Sequence, residues 1–497
     1  MNVLKGKSLI KDSAIYGGTT ILVRMINWLM TPLLTYTLAK SDFGIMTNLY
    51  AYVALFMVFL TFGMETGLFR FANRTEQHQP AVVYTTVLLM VGGITLLFLA
   101  ASQAYLPSIR PYIWQREIPD VYIRLTLIIL SLDAVSAIPF AWLRYRKRAW
   151  KFGQLKLLYV ILYAVFCTFF LVACPWINER LPGLISWFWI EDFRLGYVFI
   201  SNLIATGIQT ACLFTEVTGF RYKWDGRLAW KMFRYCFPLM LMGLAGITNQ
   251  VVDKLVFPAA YSGPERFGEL GIYSACFKIA LIMIMFTQAF RYAYEPYIFE
   301  KSRERDAGQS YADIMKYFVI LGLLVFLGVV FYLDIIKYMI KPAYFGALHI
   351  VPVALAGELL FAVYFNLSLW YKLTDKTYWG AIFSVIAAFV VIGINVAFVS
   401  RYSYMACAWA PVIGNGLIVL LSYFIGQKKY PIRYDLKTIG FYTLLAAALY
   451  AISLWIPIEN AWWHMAFNTV LLAAYVIILA KRDLPLRETP YINRFIK

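Results

Sequence analysis

The chain has 497 residues, 61% of them hydrophobic and 18% aromatic, with 45 Lys and Arg against 27 Asp and Glu. A soluble protein runs nearer about 45–50% apolar, so this composition and a mean hydropathy of +0.66 exclude a soluble enzyme. The net charge of +18 does not describe a nucleic-acid surface, because the loops leave no soluble region to carry one.

A membrane span needs about 20 mostly apolar residues. Fourteen stretches meet that demand: 14–39, 45–70, 81–104, 121–142, 155–176, 196–217, 232–257, 271–298, 314–335, 345–370, 378–399, 403–425, 439–457 and 462–480. The pattern predicts an all-α polytopic membrane protein of about 14 transmembrane helices. The first stretch is too long for a signal h-region and predicts a span or signal anchor.

Basic residues gather in alternate loops, from Lys5, Lys7 and Lys11 through the run Arg144–Arg148 with Lys151 and Lys156 to the tail beyond Lys481. The opposite side holds Lys40, Arg110, Arg116, Arg180, Arg194, Arg266, Lys337, Lys341 and Arg401. The positive-inside rule then predicts both termini in the cytoplasm. Most of the net charge is orientation signal and attraction to anionic lipid.

The chain reads as two related six-helix bundles, 1–220 and 221–430, followed by two added spans and a short tail in 431–497. Ser41-Asp42-Phe43-Gly44-Ile45 falls in a short outer turn after the first span, and Gly268-Glu269-Leu270-Gly271-Ile272 in the matching turn of the second half. The long helices that follow end at Phe62-Gly63-Met64-Glu65 and near Arg291 to Glu295. Copies of like orientation are related by an axis along the membrane normal, with a substrate path between them. Pro32 and Pro238 mark the first helix of each half, and Pro139, Pro296, Pro352 and Pro411 fall in other spans, where each is able to kink a helix.

Ionisable groups at membrane depth face a bundle interior or water. Five basic residues fall inside spans: Arg24, Arg124, Lys254, Lys278 and Arg291. Arg24, with Asn27 about one turn later, reads either as a cationic contact in a central cavity or as an internal tie. Asn249 and Gln250 stand one turn before Asp253 and Lys254, a pair close enough to the outer end for solvent exposure to compete. Lys278 is a cavity candidate, and Arg291 with Glu295 forms an i,i+4 pair. Together Arg24, Asn27, Asn249, Lys254, Lys278 and Arg291 form the candidate substrate-binding set, in which Arg offers a fork and Lys a point charge to phosphate.

Glu65, Asp133 and Glu358 are the coupling-ion candidates, each competing with a structural ion pair; Glu65 has Arg24 and Arg70 as candidate partners. Asn48 is placed along the outer part of the same path, and Glu216 near the end of the sixth span. Trp187, Trp189, Trp462 and Trp463 read as interface anchors. The six cysteines lack metal-site spacing, and His78, His349 and His464 are scattered. Neither HExxH, Walker A nor GxGxxG occurs, so neither cofactor, metal nor ATP-driven pumping is expected.

Tyr16-Gly17, Arg24, Asp42-Phe43-Gly44, Phe62-Gly63, Phe237-Pro238 and Gly268-Glu269-Leu270-Gly271-Ile272-Tyr273, in that order, resemble the bacterial polysaccharide-biosynthesis membrane proteins. These O-antigen and capsule repeat-unit flippases belong to the superfamily of multidrug and toxic compound extruders and the lipid II flippase. The resemblance implies no enzymatic activity but movement of a polyprenyl-pyrophosphate-linked oligosaccharide to the outer leaflet of the bacterial inner membrane. It implies alternating access, coupling to a proton or sodium gradient, and Arg24 among the anion-binding cavity residues. Expected partners are the lipid-linked glycan, membrane lipids, and a glycan polymerase or glycosyltransferase, with no nucleic acid. A cation-coupled drug antiporter and a non-transporting scaffold for glycan assembly are the competing readings.

Overall fold

A computed structural model describes residues 2–73, 79–113, 118–220, 222–301, 307–374, 376–456, 458 and 460–483. Arg74, His78, Arg116, Arg221, Arg303, Arg305, Arg487, Arg494 and Lys497, and the side chains of Lys5, Lys7, Lys11, Glu295 and Pro296, lie outside the described residues.

Every regular element among the described residues is helical, as lipid requires of a chain whose backbone must satisfy itself. The order is α1 (Asn2–Thr37), α2 (Lys40–Thr61), α3 (Met64–Ala72), α4 (Pro80–Ile113), α5 (Asp120–Tyr145) and α6 (Ala149–Thr168). A π-helical turn, Phe169–Ala173, leads into α7 (Cys174–Arg180) and α8 (Pro182–Ile185). Then come α9 (Arg194–Val217), α10 (Gly226–Ala260), α11 (Arg266–Lys301), α12 (Ala307–Phe331) and α13 (Leu333–Ile336). The chain ends with α14 (Val351–Leu367), α15 (Leu369–Leu373), α16 (Tyr378–Tyr402), α17 (Tyr404–Lys429), α18 (Leu436–Trp455) and α19 (Ala461–Arg482).

Among the described residues, thirteen helical segments are long and apolar enough to cross a membrane, and they coincide with the second to fourteenth expected spans. The first expected span is helical as α1 but is not among them; Arg24, Asn27 and several threonines dilute its apolar run. Side-chain caps start three of the helices. Asp225 accepts from Leu228 N at 3.0 Å, Asp435 from Thr438 N at 3.0 Å, and Asn460 from Trp462 N at 2.9 Å, each satisfying a donor that a helix start leaves open.

Two compact units divide the contacts. The first comprises Met1–Ala275 and Gly380–Ala410, the second Cys276–Trp379 and Pro411–Lys497. In the first, α5 packs on α4 and α9, α6 on α1 and α9, and α10 on α2 and α3. In the second, α12 is the hub for α14, α18 and α19. Outward-facing apolar side chains such as Leu97, 73% exposed, and Phe389, 72% exposed, suit contact with acyl chains.

Several local expectations are corrected. The motif Ser41–Ile45 is not a turn but the first turn of α2, because the chain reverses at Leu38–Ala39. Its counterpart at 268–272 lies likewise within α11. The two motifs pack on each other. A Cβ on Gly44 would stand 1.9 Å from Phe267 O, and one on Gly271 would stand 2.0 Å from Lys40 O. Each glycine thus faces the carbonyl four residues before the other, the reciprocity that a local two-fold axis generates.

The helix after the first motif does end at Phe62–Gly63 as expected, although the apolar span continues past it as α3. Phe62 and Gly63 both adopt positive φ, 52° and 67°, and separate α2 from α3. Phe62, a rare side chain in this region, is held by stacking on Phe233 with centroids 4.6 Å apart. Trp189, expected at the interface, is buried and donates from Nε1 to Phe170 O at 3.2 Å. Trp187, Trp462 and Trp463 are exposed.

Candidate functional site

A cavity of about 560 Å³ lies within the first unit. Helical periodicity builds its walls. Tyr50, Val53, Ala54 and Met57 are spaced i, i+3, i+4, i+7 on α2, and Asp133, Ser136, Ala137, Phe140 and Arg144 follow the same repeat on α5. Phe152, Lys156 and Tyr159 line it from α6, Thr20, Val23 and Arg24 from α1, Gln209 from α9, and Glu65 from the first turn of α3.

The walls carry three cations, Arg24, Arg144 and Lys156, and two carboxylates, Glu65 and Asp133. Arg144 donates to Glu65 and also lies over the Phe69 ring. Lys156 places Nζ 4.0 Å from the Phe140 ring centroid, a cation–π contact that holds the ammonium against an apolar face. One end of the cavity is a fixed polar wall: Asn202 Nδ2 donates to Tyr50 OH at 2.8 Å, and Tyr159 OH donates to Asn202 Oδ1 at 3.0 Å. Gln209 Nε2 donates to Leu155 O at 2.9 Å, and Ser136 bonds Thr210 at 2.9 Å. The arrangement offers hydroxyls, aromatic faces and charges of both signs in one enclosure inside an apolar bundle. That chemistry suits a hydrophilic, charged solute and needs no covalent step.

Of the expected site residues, the cavity brings together Arg24, Glu65 and Asp133. Asn27 is exposed and is not among its lining residues. Lys254 lies in the same unit but donates from Nζ to Asp253 Oδ2 at 2.7 Å, and Tyr273 OH donates to that oxygen at 2.6 Å. The buried Asp253 is therefore not the solvent-facing group weighed from the sequence. Asn249 is half-buried one turn earlier on α10.

Asn48, placed on the path from the sequence, is instead buried and donates to Lys254 O at 2.7 Å. Arg124 donates to Gln103 Oε1 at 2.8 Å. Glu216 is buried between Arg148 at 3.0 Å and Lys151 at 2.7 Å. Glu65 pairs with Arg144, while Arg70 stacks 4.1 Å from the Tyr235 ring. Lys278, Arg291 and Glu358 are half-buried residues of the second unit.

Sequence reasoning missed Lys156 and Arg144 by counting them with the cytoplasmic loop bases. The usable signal was register: Lys156 shares one α6 face with Phe152 and Tyr159, and Arg144 shares one α5 face with Asp133 and Phe140.

The profile of the family described as polysaccharide biosynthesis protein matches residues 9–302, more than half of the chain. The chain belongs to that family. An uncharacterized membrane protein of Haemophilus influenzae is 24% identical over 307 residues, covering 60% of this chain and 67% of the relative. The fold is similar to that of a solved structure described as the lipid II flippase MurJ, inward closed conformation, with a TM-score of 0.69 at 13% identity over 96% of this chain and 99% of the other. An inward-facing multidrug resistance MATE family transporter of the MOP superfamily is also similar, with a TM-score of 0.65 at 11% identity over 85% and 95% of the two chains. This polysaccharide-biosynthesis family member thus shares a multi-span helical fold with those transporters.

Proposed function

We propose that the protein moves a polyprenyl-pyrophosphate-linked oligosaccharide from the cytoplasmic to the outer leaflet by alternating access, with both termini in the cytoplasm. The observation that carries this reading is the charged, tyrosine-walled cavity of the first unit. A glycan needs such an enclosure because its hydroxyls lose water at membrane depth and must be rebonded. Arg24 and Lys156 bind the anionic part of the cargo, and the Tyr50–Asn202–Tyr159 wall accepts sugar hydroxyls and faces. The bundles 1–220 and 221–430 serve as the two alternating bodies, and a glycan polymerase or glycosyltransferase supplies or receives the cargo.

Asp133 and Glu65 give the cavity carboxylates for coupling to a proton or sodium gradient, and Glu358 on α14 of the second unit is the third candidate for that role. Asp133 is also the observation that favours a cation-coupled drug antiporter. Reconstituted vesicles separate the two. Leaflet transfer of a defined polyprenyl-pyrophosphate glycan is expected in wild type and is expected to fall about tenfold or more in Arg24→Ala and Lys156→Ala, each lacking one charged contact. Equal transfer by both variants removes the cavity from the mechanism. Gradient-driven efflux of an organic cation without glycan transfer selects the antiporter.

A further inference from the structure

The connection between α6 and α9 is built unlike a water-facing loop. Residues 181–190 carry no charge, and the charges stand on either side of them: Glu179 and Arg180 before, Glu191, Asp192 and Arg194 after. An apolar run of about 10–14 residues is too short to span a bilayer and suits a buried core or an interfacial segment. Here it has two apolar faces. One packs inward, where Ile185 and Trp189 join Cys174 and Tyr197 in a small core with Phe170 and Phe188 against it. The other turns outward, with Leu181, Leu184, Trp187 and Ile190 exposed, Trp187 by 82%.

That outward face continues a stripe already in lipid. Ile161, Val165, Phe169, Val172 and Trp176 are exposed at steps of three or four residues along α6, the π-helical turn and α7. Such spacing keeps them on one side of the helix, and the stripe leads straight into the hairpin.

The backbone is prepared for low polarity as well. Non-helical chain at membrane depth is tolerated only where its polar groups find partners. Leu181 N donates to Ile177 O at 2.7 Å, and Phe188 N and Trp189 N to Ile185 O at 3.1 and 2.9 Å. The Tyr197 hydroxyl accepts from Ile190 N at 2.7 Å and donates to Phe188 O at 2.8 Å. Length sets the depth. The apolar segment Ala149–Arg180 has 32 residues, and at about 1.5 Å per residue it outruns a hydrocarbon core of about 30 Å. A core entered past Lys151 takes about 20 residues and ends near Leu171, which leaves the hairpin at headgroup level.

We propose that residues 176–190 form an interfacial hairpin whose exposed face, led by Leu184 and Trp187, lies in the headgroup–acyl boundary of the leaflet that the basic-loop pattern makes outer. Its partner is lipid: the face is continuous with the acyl-facing stripe, lacks charge, and carries tryptophan, the side chain that such boundaries favour. The hairpin joins α6 to α9, which bring Tyr159 and Asn202 to the cavity wall, so the boundary holds the ends of two cavity helices at one depth.

The test is the depth of nitroxide labels on the full-length protein in phosphatidylethanolamine–phosphatidylglycerol nanodiscs, read from collisions with oxygen and with a water-soluble nickel chelate. Labels are placed singly through Leu184→Cys, Trp187→Cys and Glu191→Cys, each with the exposed Cys212 changed to Ser. The labels at 184 and 187 are expected about 5–10 Å below the phosphates, and the label at 191 at or above them. Leu181→Cys, on the same exposed face, gives an independent reading, and helical signal and elution profile report folding. Labels at 184 and 187 as open to the chelate as that at 191 put the hairpin in water and overturn the proposal. Labels closed to both oxygen and the chelate show protein over this face, a second copy or another chain, and overturn it equally.

Discussion

Asp334 lies just past the span Gly308–Phe331 and accepts from Lys337 Nζ at 2.8 Å, with His464 Nδ1 at 3.1 Å from its other oxygen. Burial alone would raise its carboxyl, but the hydrogen bonds and charges of Lys337 and His464 outweigh burial and hold it below the usual carboxylate value. A carboxyl depressed in the fold adds stability above its unfolded value and loses it as pH falls through its folded value. Thermal unfolding of wild type beside Asp334→Asn therefore has an expected gap of about 1 kcal/mol at neutral pH, reduced for solvent screening. The gap closes below about pH 4; a gap that widens there contradicts the assignment. At this scale the sequence supplied residue types at useful depths but not partners. Asp253 bonds its chain neighbour Lys254 as well as Tyr273, and Glu65 meets Arg144 across 79 positions. Such pairings depend on helix rotation and long-range packing, which hydropathy does not encode.

Elements behave in the same way. The run 45–70 is apolar on both sides of Phe62–Gly63, so nothing in its hydropathy marks the break between α2 and α3, and only positive φ at both residues reveals it. Conversely, the turn-like Asp-Phe-Gly string opens α2, because a helix start also favours an acid, and Asp42 occupies that first turn. The glycine it carries has a steric purpose. Gly44→Ala would drive a methyl into Phe267 O, whereas a methyl at Gly92 of α4 meets nothing within 4 Å. Thermal unfolding should therefore show Gly44→Ala and Gly271→Ala each less stable by about 1–3 kcal/mol. Gly92→Ala should gain up to about 1 kcal/mol from helix propensity. A Gly44→Ala protein as stable as Gly92→Ala would show that the crossing yields without cost.

At the scale of the whole molecule, the second to fourteenth expected spans were legible because each is a local property repeated along the chain, whereas the first, diluted by polar residues, is helical but not among the apolar segments. The cavity was legible only in part: Arg24, Glu65 and Asp133 announce themselves as charges in apolar runs, while Tyr50, Tyr159 and Gln209 look like any other span residues. Of the last two helices, which have no counterpart in the repeat scheme, α18 packs on α12 and α19 is hydrogen-bonded to it along its length. Asn468 Nδ2 donates to Phe331 O at 3.2 Å, Tyr475 OH to Ile320 O at 2.9 Å, and Tyr317 OH to Asp483 O at 3.0 Å. They are integral to the second unit, so a chain ending at Asp435 is expected to melt lower by on the order of 10 °C. Unchanged melting would make the pair an accessory.

The reciprocal glycine crossing has a further consequence, for descent. If the two motifs derive from one ancestral segment, Gly44 and Gly271 once were the same residue touching its own copy in a symmetric dimer. Fusion of the copies would then have let most positions diverge independently. At this crossing it could not, because a side chain arising in either copy strikes the other's backbone. The pair should remain glycine in lineages where the surrounding helices have lost every other trace of common origin.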